Sequence, residues 1–480
     1  MKTDAPWLSL SQARARVLGI QAKLHRWSTG DTTARFDDVF NLVVDPAFLV
    51  MAWERVATNR GARTAGVDRV TARAITAQGP TAVMEFLAGL REQVKQGTFV
   101  PSPVRQRLIP KSPGKFRSLG IPTVADRVVQ ACLMLVLEPI FEADFHPSSY
   151  GFRPRRRAWD AVAEVQMFAS RSYEWVLEGD IRACFDEIDH AALLGRVRRR
   201  IGDKRVLALV KAFLKAGVLS EGQAIRENNS GTPQGGILSP LLANIALEVL
   251  DEHFARMWNA DSATRVDRSR RRRHGLPSYR LVRYADDFVV LVSGTREHAE
   301  AVRAEVATVL GPVGLSLSPE KTTVAHIDEG FDFLGFRIQR HRKRGTAKRY
   351  VYTFPSRKSL DSVKRKVKAI TTQGTNQPLS KLLDQLNMVL RGWTSYFRHA
   401  VAHRAFRYLA HYTWWRVVRW IHRKHRKTNW KTLIRRYYTT DRWWPQDGGV
   451  ALLNPATVAV TRYRYRGNIA APWPKLKATT

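Results

Sequence analysis

The pattern of apolar and polar positions changes period several times along this chain, and the changes mark its elements. Between Leu10 and Leu90 the apolar residues Val39, Phe40, Leu42, Val43, Leu49, Val50, Trp53 and Val56 keep helical spacing, so this segment reads as mostly helical. Val104 to Ile121 alternates instead, which predicts two strands around the turn Pro110-Lys111-Ser112-Pro113-Gly114-Lys115. Residues 126 to 145 predict a core helix and 158 to 169 a second; Trp175 to Asp186 then reads as a strand carrying Asp180, followed by helices at 188–200 and 204–216. The glycine-rich loop Gly231 to Gly236 opens a long helix with Leu238, Leu241, Leu242, Ile245, Val249 and Leu250 at helical spacing. Such a loop lets backbone approach a ligand, and the helix start offers free N–H groups.

Two apolar runs, Leu281-Val282-Arg283 and Phe288 to Val292, flank Tyr284-Ala285-Asp286-Asp287 and predict a hairpin with two carboxylates at its tip. The polar stretch Asn259 to Pro277, with four consecutive arginines, reads as a mobile insertion before it. Beyond the hairpin the pattern predicts a helix over Glu297 to Leu310, short strands from Thr322 to Arg340, and helices at 356–370, 378–397 and 402–426.

Charge narrows the function. The 480 residues carry 79 Lys and Arg against 42 Asp and Glu, a formal net charge of +37, so nucleic acid is the expected partner. The start of the chain lacks a signal-like apolar region and no apolar run is long enough to span a membrane. Two cysteines, Cys132 and Cys184, cannot build a disulfide framework or a four-ligand zinc site, and a reducing cytosol is expected. Eight of the 14 Trp lie beyond residue 390, interleaved with cations, which reads as a helical nucleic-acid-binding region.

The candidate chemistry centres on acids. Paired aspartates on a rigid turn repel unless a cation joins them, which suggests a divalent metal; turn chemistry alone is the competing explanation. Asp180 and Asp286 each end a predicted strand, and if those strands are neighbours three carboxylates converge on one rim. Lys111, Lys115 and Arg117 project from the earlier hairpin, as phosphate ligands or as solvated surface charge.

In order along the chain, Arg107 to Lys111, Arg117 to Pro122, Ser149 to Pro154, Glu178 to Ile181 with Phe185, Gly231 to Pro240, Tyr284 to Asp287, Leu317 to Thr322 and Phe333 to Phe336 resemble a reverse transcriptase, more narrowly a group II intron-encoded reverse transcriptase and maturase. The resemblance implies an α+β right-hand polymerase fold: an N-terminal extension over 1–95, fingers and palm with an antiparallel sheet over 96–340, a helical thumb and maturase domain over 355–440, and a basic aromatic nucleic-acid-binding tail over 441–480. It implies catalytic roles for Asp180, Asp286, Asp287 and Lys321. Two Mg2+ ions, with Mn2+ as the alternate, would bind Asp180, Asp286, Asp287 and the carbonyl of Ile181. Lys111, Arg117, Phe185 and Gln234 would bind the nucleotide, Phe185 packing under the sugar so that dNTPs are chosen. Arg63, Thr64, Arg153, Arg155, Gly235, Arg391, Trp393 and Arg398 would contact nucleic acid.

Implied partners are group II intron RNA, target DNA, an RNA template with its DNA primer, and dNTPs, with no membrane, in a bacterial cytoplasm close to the nucleoid. Arg69 stands where relatives often show glycine, and the paired cysteines of a metal-dependent nuclease domain are missing. A host role such as phage defence, or RNA binding without catalysis, are the alternatives.

Overall fold

The structure is a computed structural model that describes residues 7–473 apart from 113–114, 220–224, 227, 229, 233, 262 and 439–442, with backbone only at 111, 112, 115 and 225. It is an α+β molecule. Helices α1 (Leu10–Gly30) and α2 (Pro46–Thr58) come first, started respectively by a Ser9 and Gln12 capping box and by an Asp45 cap preceding Pro46. Strands β1 (Val104–Ser112) and β2 (Lys115–Ile121) form an antiparallel hairpin. The next helix, α3 (Val124–Phe141), is capped by Thr123 and Asp126 and buried on nearly all sides, which explains the unbroken apolar run from Ala131 to Leu137.

Helix α4 (Ala158–Ala169) leads to β3 (Trp175–Asp180). The strand ends sooner than the pattern predicts. Ala183 adopts φ 39° and Cys184–Glu187 form a helical turn, so Phe185 sits on that turn and not on the strand. The long helix α5 (Ser239–Asp261) follows, and then Arg265–Arg273 is helical where a mobile insertion was expected. A Thr264 and Asp267 capping box starts this short helix, and the Arg268 guanidinium lies 5.1 Å from the Trp258 ring centroid.

Strands β4 (Ser278–Tyr284), β5 (Asp287–Ser293) and β6 (Thr323–His326) join β3 in an antiparallel sheet of order β4-β5-β3-β6. A second sheet places β8 (Phe336–Arg342) between β7 (Phe331–Phe333) and β9 (Arg349–Pro355). Helices α6 (Arg357–Thr372), α7 (Leu379–Phe397) and α8 (His403–Lys424) follow.

Three hydrophobic cores result. One joins α1, α2, α3 and α5 to the Leu177 side of the main sheet; a second joins the Val176 side to α4, the β7–β9 sheet and Phe397; the third lies within the α6–α8 bundle. Alternation along β3 therefore buries both sheet faces, and leaves only the strand end free for chemistry.

Candidate active site

The tip of the β4–β5 hairpin is a two-residue turn, Ala285-Asp286, and Ala285 takes φ 56°. A non-glycine residue in that region is strained by roughly 1–3 kcal/mol and persists only where its surroundings hold it. Here they do. Arg283, fully buried, donates through its guanidinium to the carbonyl of Ala285 at 3.2 Å and to Asn244 Oδ1 at 2.9 Å, while pairing with Asp251 on α5. Asn244 in turn donates to the Gly151 carbonyl at 2.8 Å. Gly151 lies so close to the turn that a Cβ there would sit 2.2 Å from the Ala285 nitrogen.

Register then sets the acids. Asp180 on β3 stands directly opposite Asp287 on β5, with Asp286 on the adjoining turn. Cross-strand partners of this kind have Cα atoms roughly 4.5–5.5 Å apart. Asp180 accepts from Lys321 Nζ at 2.8 Å, and its carbonyl accepts from the Ser318 N–H at 2.8 Å. Asp286 has no hydrogen-bond or ion-pair partner among the described residues, and its charge, after burial, helps push the Cys184 thiol up to about 12. The donors gathered here are all oxygens, the set a hard cation takes. No group of three acid, histidine or cysteine side chains is already closed around a point among the described residues; Lys321 holds Asp180 instead.

A second cluster adjoins the first. Arg117 Nε donates to Gln234 Oε1 at 2.8 Å, and Gln234 Nε2 donates to Asp186 Oδ2 at 2.8 Å. Desolvation raises the Asp186 pKa against the opposing pull of Gln234 and Arg117. Gly235, at φ 118°, crosses β2 so closely that a Cβ would meet the Gly120 oxygen at 2.5 Å. Phe185, Asp186, Gln234, Ser118 and Ser230 line a cavity of about 290 Å3. The Phe185 ring packs edge-on against the exposed Phe152, 6.3 Å away between centroids. The Lys111 side chain lies outside the described residues.

The expected nucleic-acid contacts divide. Arg63, Arg155 and Arg391 are exposed, as is Gly235. Thr64 is half-buried, its carbonyl held by Arg127 at 2.7 Å. Arg398 is half-buried and its carbonyl accepts from the Thr461 N–H. Arg153 is corrected outright: it is buried, paired with Glu142 at 2.7 Å and hydrogen-bonded to the carbonyls of His146 and Ser149. Trp393 is likewise turned inward, 4.7 Å from Phe397 and 5.8 Å from Phe406 between ring centroids. The described part of the tail packs on the rest of the molecule while Arg462 and Arg464 stay exposed. Tyr463 and Arg466 bind Asp160 on α4, and Trp473 reaches Gln21 on α1, so this segment straps the molecule together.

Sequence reasoning passed over Asp186 and Arg283. An arginine inside the apolar strand Leu281-Val282-Arg283 was the available signal, because a charge in such a run must be paired when buried.

Residues 109–338 match the family described as reverse transcriptase (RNA-dependent DNA polymerase), and residues 360–438 match the group II intron, maturase-specific domain. Protein YkfC of Escherichia coli (strain K12) is 38% identical over 358 residues, covering 71% of this chain and 93% of that protein. The group II intron-encoded protein LtrA of Lactococcus lactis subsp. cremoris is 32% identical over 359 residues, covering 65% of this chain and 58% of LtrA. Nuclear intron maturase 1, mitochondrial, of Arabidopsis thaliana is 26% identical over 288 residues, covering 44% of this chain and 40% of that protein.

Proposed function

The chain belongs to the reverse transcriptases that carry a group II intron maturase-specific domain, and from that premise we propose that it copies group II intron RNA into DNA at the Asp180–Asp286 rim and binds the same RNA to assist its splicing. The observation that carries the polymerase reading is the β3–β5 register, which sets Asp180 against Asp287 beside a turn clamped from below. Asp180, Asp286 and the Ile181 carbonyl would hold divalent metal ions, Mg2+ first among them, with Asp287 alongside. Bound there, a metal pair supplies an activated 3′-hydroxyl and a stabilised leaving pyrophosphate.

The protein's own groups do the rest. Lys321, paired with Asp180 at 2.8 Å, would give a proton to the leaving pyrophosphate. Arg117 and Lys111 grip the incoming triphosphate, with Gln234 fixing the Arg117 direction. Phe185 floors the sugar pocket and excludes a 2′-hydroxyl.

We assign residues 1–95 to an extension over the template, 96–340 to fingers and palm, 355–440 to thumb and maturase domain, and 441–480 to a tail whose described part is a strap with Arg462 and Arg464 facing out. Target DNA and an RNA template with its primer complete the proposed partners, in a bacterial cytoplasm near the nucleoid. Among the described residues no helix is long and apolar enough to cross a membrane.

Primer extension on an RNA template tests the reading. Synthesis with dNTPs and Mg2+ that disappears in Asp180→Ala and Asp286→Ala supports it; full synthesis by either variant overturns it.

A further inference from the structure

The β8–β9 hairpin carries a feature that neither core packing nor the polymerase site explains. Its inner face buries Phe336, Ile338, Val351 and Thr353. By register, the outer face sets His341 opposite Tyr350, Gln339 opposite Tyr352 and Arg337 opposite Phe354. Three aromatic rings thus run along one face of β9, with centroids 6.4 Å apart between Tyr350 and Tyr352 and 6.1 Å between Tyr352 and Phe354. The solvent face of an antiparallel sheet is ordinarily polar. Here Tyr350 is 45% exposed, and the whole stretch 341–350 is exposed.

The hairpin tip supplies charge of one sign. Arg342, Lys343, Arg344, Lys348 and Arg349 fall within ten residues that contain no acid, and of these Arg349 pairs with Asp328 at 3.5 Å. At the β9 edge, Tyr350 and Tyr352 also border a cleft of about 640 Å3 whose other walls include Trp159, Lys343, His399 and Arg462. Rings in a row beside cations fit a polyanion with accessible π-faces. A duplex hides the faces of its bases, whereas an unpaired strand presents them.

We propose that the outer face of the β8–β9 hairpin and the cleft beside it bind an unpaired RNA strand, with bases stacked on Tyr350, Tyr352 and Phe354 and phosphates at the Arg342–Arg349 tip. RNA is the occupant because the hairpin leads directly into α6 and the segment that matches the group II intron maturase-specific domain. The excess of exposed cations on the tip, with Arg349 alone of them paired to an acid among the described residues, weighs against a protein partner with an ordinary mixed surface. The inference rests on the reading of this chain as an intron RNA-binding protein, and adds where an unpaired segment sits.

The test uses the full chain and a fluorescent oligo(A) of roughly 12 nucleotides, a length typical of single-strand sites. Tyr350→Ala/Tyr352→Ala should weaken oligo(A) binding on the order of tenfold, while Tyr350→Phe/Tyr352→Phe retains it. Binding to an RNA duplex of the same length should be unchanged in both. Arg342→Ala/Lys343→Ala should instead flatten the salt dependence, by about one to two in log–log slope. Undiminished oligo(A) binding by the alanine pair, an equal loss for duplex, or an equal loss in the phenylalanine pair each overturns the site. Should the alanine pair melt well below the parent, Tyr350→Ala alone carries the same test at an exposed position. Primer extension by the unaltered chain separates the two readings: DNA synthesis together with undiminished oligo(A) binding by the variant sinks the stacking site alone, and absent synthesis sinks the polymerase.

Discussion

Two neighbouring positions of one hairpin, Arg283 just below the turn and Asp286 within it, obey opposite electrostatic rules. Below the turn, Arg283 is buried and its guanidinium is held by Asp251, Asn244 and the Ala285 carbonyl. In the turn, three positions later, Asp286 has no partner among the described residues, and Asp180 is balanced by the half-exposed Lys321. A buried pair is costly to break but fixes geometry, whereas an unbalanced carboxylate at the surface destabilises its fold and is ready for a cation. Precision below and reactivity above are therefore supplied by different residues only a few positions apart.

The largest effect expected from breaking this contrast is catalytic. Asp286→Ala should lower DNA synthesis on the order of a thousandfold, about 4 kcal/mol of transition-state stabilisation, while leaving the melting temperature equal or higher. Steady-state primer extension and calorimetry on the same preparation check both halves. A variant that melts much earlier would place Asp286 in the scaffold.

Arg283→Met should do the reverse and strike stability first. Removing one member of a buried pair leaves Asp251 charged and unmatched, a loss of about 3 kcal/mol, and Arg283→Met with Asp251→Leu should recover much of it. Urea unfolding of the single and double variants measures the coupling. Because the Ala285 strain is then held less firmly, synthesis should still lag in the double variant after stability returns.

Next in size comes the proposed sugar pocket at the Phe185 cavity. Phe185→Ala should admit ribonucleotides on the order of 10- to 100-fold better relative to dNTPs, read by single-nucleotide incorporation. Unchanged discrimination would assign the sugar contact to another wall of the cavity, with the exposed Phe152 the first to examine.

How much of this contrast was legible in the sequence follows from the range of each interaction. The hairpin itself was visible, because β-branched residues on both sides of Tyr284 to Asp287 write their preference locally. Helix α3 was visible for the same reason. The Asp180 and Asp287 register was only conditional, since nothing local specifies which strands pair. Arg153 was misjudged because it opens an arginine-rich run, and only the arrival of Glu142 from α3 makes it a buried ion. The packing of the tail was hidden for the same reason, since Asp160, which binds Tyr463, lies some three hundred residues earlier in the chain. The short reach of the β3 strand was missed because the left-handed Ala183 breaks a run whose composition would continue it.

The smallest effect tests whether the scaffold's dislike of charge extends right up to the tip. Glu178 lies two residues before Asp180 on the same face of β3, and burial, followed by the nearby Asp332, lifts its carboxyl to about 7. A carboxyl with a raised folded pKa binds its proton more tightly in the native state than in the unfolded one. Its contribution is therefore fully present below the unfolded value near 4.5 and is lost as pH rises through about 7. Glu178→Gln should remove that loss, flattening the decline in stability between pH 5 and pH 8 by on the order of 1–2 kcal/mol. Urea midpoints across that range measure it. An unchanged slope would mean that Arg337 and Lys358, which face Glu178 from β8 and α6, already neutralise it, and that the zone tolerating unbalanced acid begins one pleat deeper than Asp180.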